Sequence, residues 1–118
     1  MNGIKIAIEI TRKKYENFRN YLEIAKAVKK LAKKILNDPH VRVMVFGSVV
    51  KGTYNPLSDL DILVISVNAF KVKYGEFMKT LEKEMGEKLL GVEMHLITPE
   101  IFETWYKRFL DKDKYVEV

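Results

Sequence analysis

Two aspartates, Asp59 and Asp61, stand one residue apart at the start of the apolar run DLDILVIS (59–66). Ten residues separate them from a Gly-Ser pair, Gly47-Ser48, at the end of another apolar run, VRVMVFG (41–47). Side chains alternate along a strand, so Asp59 and Asp61 share one face, about 7 Å apart at Cα. Left alone they repel, and one tends to stay protonated. A divalent cation between them keeps both charged, and their hard oxygens suit Mg²⁺ or Mn²⁺. Gly47 lets the backbone approach a ligand closely. The amides after it, with the Ser48 hydroxyl, can point at a phosphate. Phosphate donors beside a metal-binding acid pair are what phosphoryl or nucleotidyl transfer requires.

These residues need strands on both sides, and the flanking runs supply them. VRVMVFG is β-branched and apolar throughout, as expected of a strand covered on both faces. DLDILVIS is a second central strand and VEMHLI (92–97) a third. In VEMHLI, Glu93 and His95 share one face, and an unpaired acid inside an apolar strand is costly to bury. Between the first two strands, SVVK is a short helix or loop stopped by Gly52, and TYNPLS is a turn around Pro56. Lys51 is either a phosphate contact or a solvated loop lysine.

Helices fill the rest. From Thr11, Tyr15, Phe18, Leu22, Ala25, Val28, Ala32 and Ile35 recur at three and four, which predicts one long amphipathic helix ending near Asn37, before Pro39. Tyr74–Leu90 reads as a helix with Phe77, Met78, Leu81, Met85 and Leu89 inward, weakened at Gly86 and capped by Gly91. Thr98 and Pro99 open a last helix, 98–110. Its Ile101, Phe102, Trp105 and Phe109 fall at core spacing, which puts Trp105 in the core and leaves Tyr106 exposed. IKIAIEI (4–10) alternates with a period of two, which predicts an extra strand at a sheet edge or paired with another chain in a homo-oligomer. VNAFKVKYG (67–75) reads as a polar linker, and the tail 111–118 as charged and extended.

The bulk numbers agree with one domain over 1–118. The chain has 47% hydrophobic and 31% charged residues, enough apolar content for a packed core. With no cysteine, disulfides, thiolate metal sites and thiol nucleophiles are excluded, and a reducing cytoplasm is expected. No run approaches the ~20 apolar residues of a membrane helix, and no signal peptide is expected. The net charge of +5 is uneven: residues 1–40 carry +6 and residues 41–118 carry −1. A basic helix is either a solvated face or a surface for a polyanion.

The stretch GSVVKGTYNPLSDLDILV (47–64) resembles the signature of the minimal nucleotidyltransferases, small members of the DNA polymerase beta superfamily. The matching residues are Gly47, Ser48, Gly52, Ser58, Asp59 and Asp61. The resemblance implies an α/β (α+β) fold with a mixed central sheet flanked by helices. It implies a nucleotidyltransferase that moves a nucleoside monophosphate, AMP from ATP, to a hydroxyl, with Mg²⁺ or Mn²⁺ as cofactor. Gly47, Ser48 and Ser58 would then bind nucleotide. Asp59, Asp61 and a third carboxylate, here Glu93, would hold metal and act in catalysis, with His95 as the fallback. Many relatives have Asp where this chain has Glu93. By the same resemblance the acceptor is a separate macromolecule. A tyrosine of a small helical HEPN-type toxin is one candidate, which would make this chain an antitoxin, and a nucleic-acid 3′ end is another. A nucleotide- or partner-binding subunit without turnover is the alternative from outside enzymology, and the reach of Glu93 separates the two.

Overall fold

The computed structural model describes residues 2–118. The elements run α1 (Gly3–Arg19), α2 (Tyr21–Ile35), β1 (Arg42–Phe46), α3 (Ser48–Lys51), β2 (Leu60–Ile65), α4 (Tyr74–Met85), β3 (Val92–Ile97), α5 (Pro99–Ile101), α6 (Lys107–Leu110) and β4 (Tyr115–Glu117). A 3₁₀ turn (Gly86–Leu89) follows α4, and a π-helical turn (Phe102–Tyr106) joins α5 to α6. The four strands form a mixed sheet in the order β3-β2-β1-β4. β1 pairs antiparallel with both β2 and β4, and β2 pairs parallel with β3. The parallel pair needs a crossover, and α4 provides it.

Strand alternation divides the sheet into two faces. Val43, Val45, Leu60, Ile62, Val64 and Met94 point into the larger core, under Phe18 of α1, Ala25, Val28 and Ala32 of α2, and Phe77 and Leu81 of α4. Met44, Phe46, Leu63, Ile65 and Ile97 point the other way, where Phe102 and Leu110 cover only part of the sheet. Burying each such side chain stabilises the fold by about 1.5–3 kcal/mol. The three core strands thus stand where their apolar runs predict, and the mixed, helix-flanked sheet is the expected architecture.

Residues 4–10 differ from expectation. Residues 3–10 are helical, not an edge strand, and residues 2–10 are all exposed. Ile4, Ile6, Ile8 and Ile10 remain open to solvent. The reason lies further along α1. Asn17 is buried, and its side-chain amide donates to the carbonyls of Glu87 and Leu90 at 2.8 and 2.9 Å, while Phe18 enters the core. Extending a helix nucleated there costs little, and Asn2 caps it by accepting from the Lys5 N–H at 3.0 Å.

The expected long helix is also broken, at Asn20 (φ −101°, ψ 27°). The register changes there: Ile24 is buried, whereas Leu22 is 41% exposed. Helix α4 stops at Met85, since Gly86 adopts φ 54°, rather than running on to Leu90. Residues 67–75 are tied down instead of forming a free linker: Ala69 is buried, and the Asn68 amide donates to the Leu36 carbonyl at 2.7 Å. Of the charged tail, only Tyr115–Glu117 is extended, as β4; residues 111–113 form a turn that leaves α6.

Candidate active site

Cross-strand register assembles the site. Tyr115, Phe46, Asp61 and Glu93 lie directly opposite one another across the four strands. The next row on the same face is Glu117, Met44, Leu63 and His95. Helices α5 and α6, with the π turn between them, cover the far rows and leave Asp61, Glu93 and His95 at the open end. Ligand atoms of these three residues lie within 4.8 Å of one another, the grouping of this kind found among the described residues. His95 Nε2 is 3.4 Å from Asp61 Oδ1. The other ring nitrogen, Nδ1, is 3.4 Å from the Tyr106 hydroxyl. A Tyr106–His95–Asp61 chain therefore runs from the last helix to the acids.

Glu93 shows the electrostatic consequence. Partial desolvation, then the negative charge of Asp61 and hydrogen bonding to it, hold its carboxyl above the ordinary glutamate range; Asp59 adds to this and only His95 opposes it. Tyr74 of α4 borders the same acid. Its hydroxyl donates to the Met94 carbonyl at 2.9 Å, and burial together with the charges of Glu93 and Glu82 raises its pKa.

Gly47 is required twice over. Its backbone (φ 88°, ψ −161°) lies in a region that is essentially restricted to glycine. A Cβ there would stand 2.6 Å from Asp61 Oδ2. The Asp61 carboxylate thus occupies the space that a side chain at 47 would fill. Ser48 follows as the first residue of α3, whose leading N–H groups have no intrahelical acceptor.

Residues 22–118 match the family model of the nucleotidyltransferase domain. This chain belongs to the nucleotidyltransferase domain family. It is similar to a solved structure described as "Crystal structure of putative nucleotidyltransferase", at 29% identity and a TM-score of 0.57, over 79% of this chain and 95% of the other. No curated protein matches it. The match begins at α2, so α1 lies outside the part of this nucleotidyltransferase that defines the family.

Within that frame the structure brings Asp61 and Glu93 together beside Gly47, and adds His95 as a direct neighbour. Asp59 stands one residue before β2, exposed and outside the 4.8 Å grouping, though close enough for its charge to act on Glu93. The Ser58 hydroxyl accepts from the Asn55 N–H at 2.9 Å and closes the turn that leads to Asp59. Lys51 is not solvated alone: its ammonium is 2.8 Å from Asp113 in the tail.

Trp105 is a correction. It is 74% exposed, not core. The Lys107 N–H reaches back five residues to the Phe102 carbonyl instead of four. The extra residue in that turn shifts the inward face to Phe102, Tyr106 and Leu110 and swings Trp105 out. It also turns Tyr106 toward His95, a contact that residue spacing does not reveal. The acid-rich site is therefore framed on one side by exposed aromatic rings. No helix among the described residues is long and apolar enough to cross a membrane.

Proposed function

We propose that this nucleotidyltransferase moves AMP from ATP onto a hydroxyl of a separate macromolecule, with Asp59, Asp61 and Glu93 holding the metal-bound phosphates. The observation that carries the reading is the convergence of Asp61 and Glu93 within 4.8 Å, beside a glycine that the Asp61 carboxylate itself makes obligatory. Two carboxylates pressed together destabilise each other unless a cation lies between them. Their hard oxygens suit Mg²⁺ or Mn²⁺. Such a cation, when bound, neutralises charge on the phosphates and makes the phosphorus more electrophilic.

The chain's own residues do the remainder. The Ser48 hydroxyl and the amides after Gly47 hold the triphosphate tail, where a side chain at 47 would block it. Glu93 takes the proton of the acceptor hydroxyl. As the acceptor oxygen bonds to the α-phosphorus, the α–β bridging P–O bond breaks and pyrophosphate leaves with the electron pair. Asp61 is kept in place by its contact with His95, which Tyr106 orients in turn.

The resemblance of residues 47–64 to the minimal nucleotidyltransferases favours a tyrosine of a small helical HEPN-type toxin as the acceptor. A nucleic-acid 3′ end has less support. The lysine-rich α2 packs on the sheet face opposite Asp61, Glu93 and His95, so it does not border the acids. Incubating the protein with each α-labelled NTP, Mg²⁺ and a lysate of its source, then identifying the labelled species, tests the proposal. A labelled protein with ATP as the preferred donor is expected. Label incorporated only into nucleic acid would replace the acceptor, and no incorporation with any NTP would overturn transfer.

A further inference from the structure

Beside the acids lies a cavity of about 290 Å³ lined by Phe46, His95, Trp105, Tyr106 and Phe109. We propose that this aromatic shelf is the subsite for the nucleobase of the bound nucleotide, with Trp105 as the principal stacking surface. The subsite rests on the nucleotidyl-transfer reading above.

Three observations meet here. Trp105 and Phe109 are 74% and 53% exposed, a large apolar surface on a helix whose other apolar residues are packed. The π turn that exposes Trp105 also seats Tyr106 against His95, and such turns concentrate at functional sites. His95 belongs to both places: it lies 3.4 Å from Asp61 and also lines the cavity. The shelf therefore begins where the phosphate site ends. A nucleotide whose phosphate rests at Asp61 and Glu93 carries its base one ribose away, and the shelf is an apolar surface that His95 joins to those acids.

The lining also says how a base would be held. Phe46 meets Phe109 edge-on at 5.8 Å and is tilted against His95 at 5.4 Å, so aromatic rings form the floor of the shelf. No Asp, Glu, Lys or Arg lines the cavity. Affinity then comes chiefly from stacking, to which every base offers a π face. Purines, with the larger π face, are held more tightly than pyrimidines.

The chain contains one tryptophan, Trp105, so its fluorescence reports on the shelf alone. The full chain with Mg²⁺ is titrated with ATP and with tripolyphosphate. ATP is expected to quench the emission saturably, and tripolyphosphate to displace ATP without quenching. By calorimetry, Trp105→Leu is expected to weaken ATP about 5- to 150-fold, which is one base–aromatic stack of about 1–3 kcal/mol converted at about 1.4 kcal/mol per tenfold. Tripolyphosphate affinity should change less than about two-fold. If ATP binds the wild type without quenching and Trp105→Leu binds it as tightly, the subsite is overturned while nucleotide binding stands, and the shelf faces the acceptor instead. Equal weakening of ATP and tripolyphosphate also overturns it, since that marks damage to the phosphate site. Failure of wild-type protein to bind either ligand removes both the subsite and the function it rests on.

Discussion

Asp38 and Glu93 are both acids attached to the same sheet, and they are treated in opposite ways. Asp38 is buried at the turn into β1. Its carboxylate accepts the Ser66 hydroxyl at 2.7 Å and the His40 backbone N–H at 2.9 Å. Burial alone would raise its pKa, yet the bonds from Ser66 and the neighbouring backbone bring it below the ordinary aspartate range. Glu93, at the other end of the sheet, faces Asp61 and Asp59, and is pushed up. One acid is surrounded by donors and the other by acids. The first arrangement stabilises the fold. The second opposes it, and only a bound cation or a shared proton relieves it.

The largest effect should come from breaking the acid-rich side. Asp61→Asn is expected to take transfer below detection, while the melting temperature stays equal or rises because one of two repelling charges is gone. A clear loss of thermal stability in that variant would instead make Asp61 a structural acid like Asp38. Gly47→Ala comes next. It places a Cβ where Asp61 Oδ2 stands and imposes a glycine-only conformation, which costs about 1–3 kcal/mol. Both denaturant midpoint and transfer should fall, and unchanged transfer would mean that the Asp61 position does not matter.

Asp38 sharpens the contrast from the other side. Asp38→Ala strands the Ser66 hydroxyl and the His40 N–H, a loss of about 1.5–3 kcal/mol, read by urea unfolding. Transfer per folded molecule should not change. Because the folded pKa of Asp38 is depressed, its stabilisation is present above the unfolded aspartate value, about 3.9, and is lost as pH falls through the lower folded value. Asp38→Asn should therefore flatten part of the acid limb of the stability–pH curve. An unchanged limb would show that Asp38 is not held by these donors.

The acid-rich side is legible in the sequence because strands alternate strictly. Asp61 and Glu93 occupy parity positions in apolar runs, and the length and β-branched content of a run such as VRVMVFG favour a strand. Helices are harder to read. Ile4, Ile6, Ile8 and Ile10 alternate like a strand, but α1 is set by Asn17 and Phe18, and the partners of Asn17 at Glu87 and Leu90 are remote in the chain. The break at Asn20 likewise depends on packing. Trp105 leaves the core that its spacing predicts because one extra residue in the π turn moves every later side chain around the helix. Residue spacing does not encode that extra residue. His95 looks ordinary in its strand, and only the folded chain puts Tyr106 and Asp61 on its two nitrogens.

The most direct test of the central claim is Glu93→Gln, assayed for transfer and for nucleotide binding on one preparation. Gln keeps size and polarity but accepts no proton in place of the carboxylate and binds a cation poorly. On the proposed reading Asp59 and Asp61 hold the nucleotide-bound Mg²⁺, an ion that takes much of its shell from phosphate and water. Nucleotide affinity should therefore stay within a few-fold of wild type, while transfer of labelled AMP to the acceptor falls by at least ~10²-fold. Transfer at the wild-type rate would contradict the account: Glu93 would not be the third acid, and His95, on the same strand face, would have to take its place.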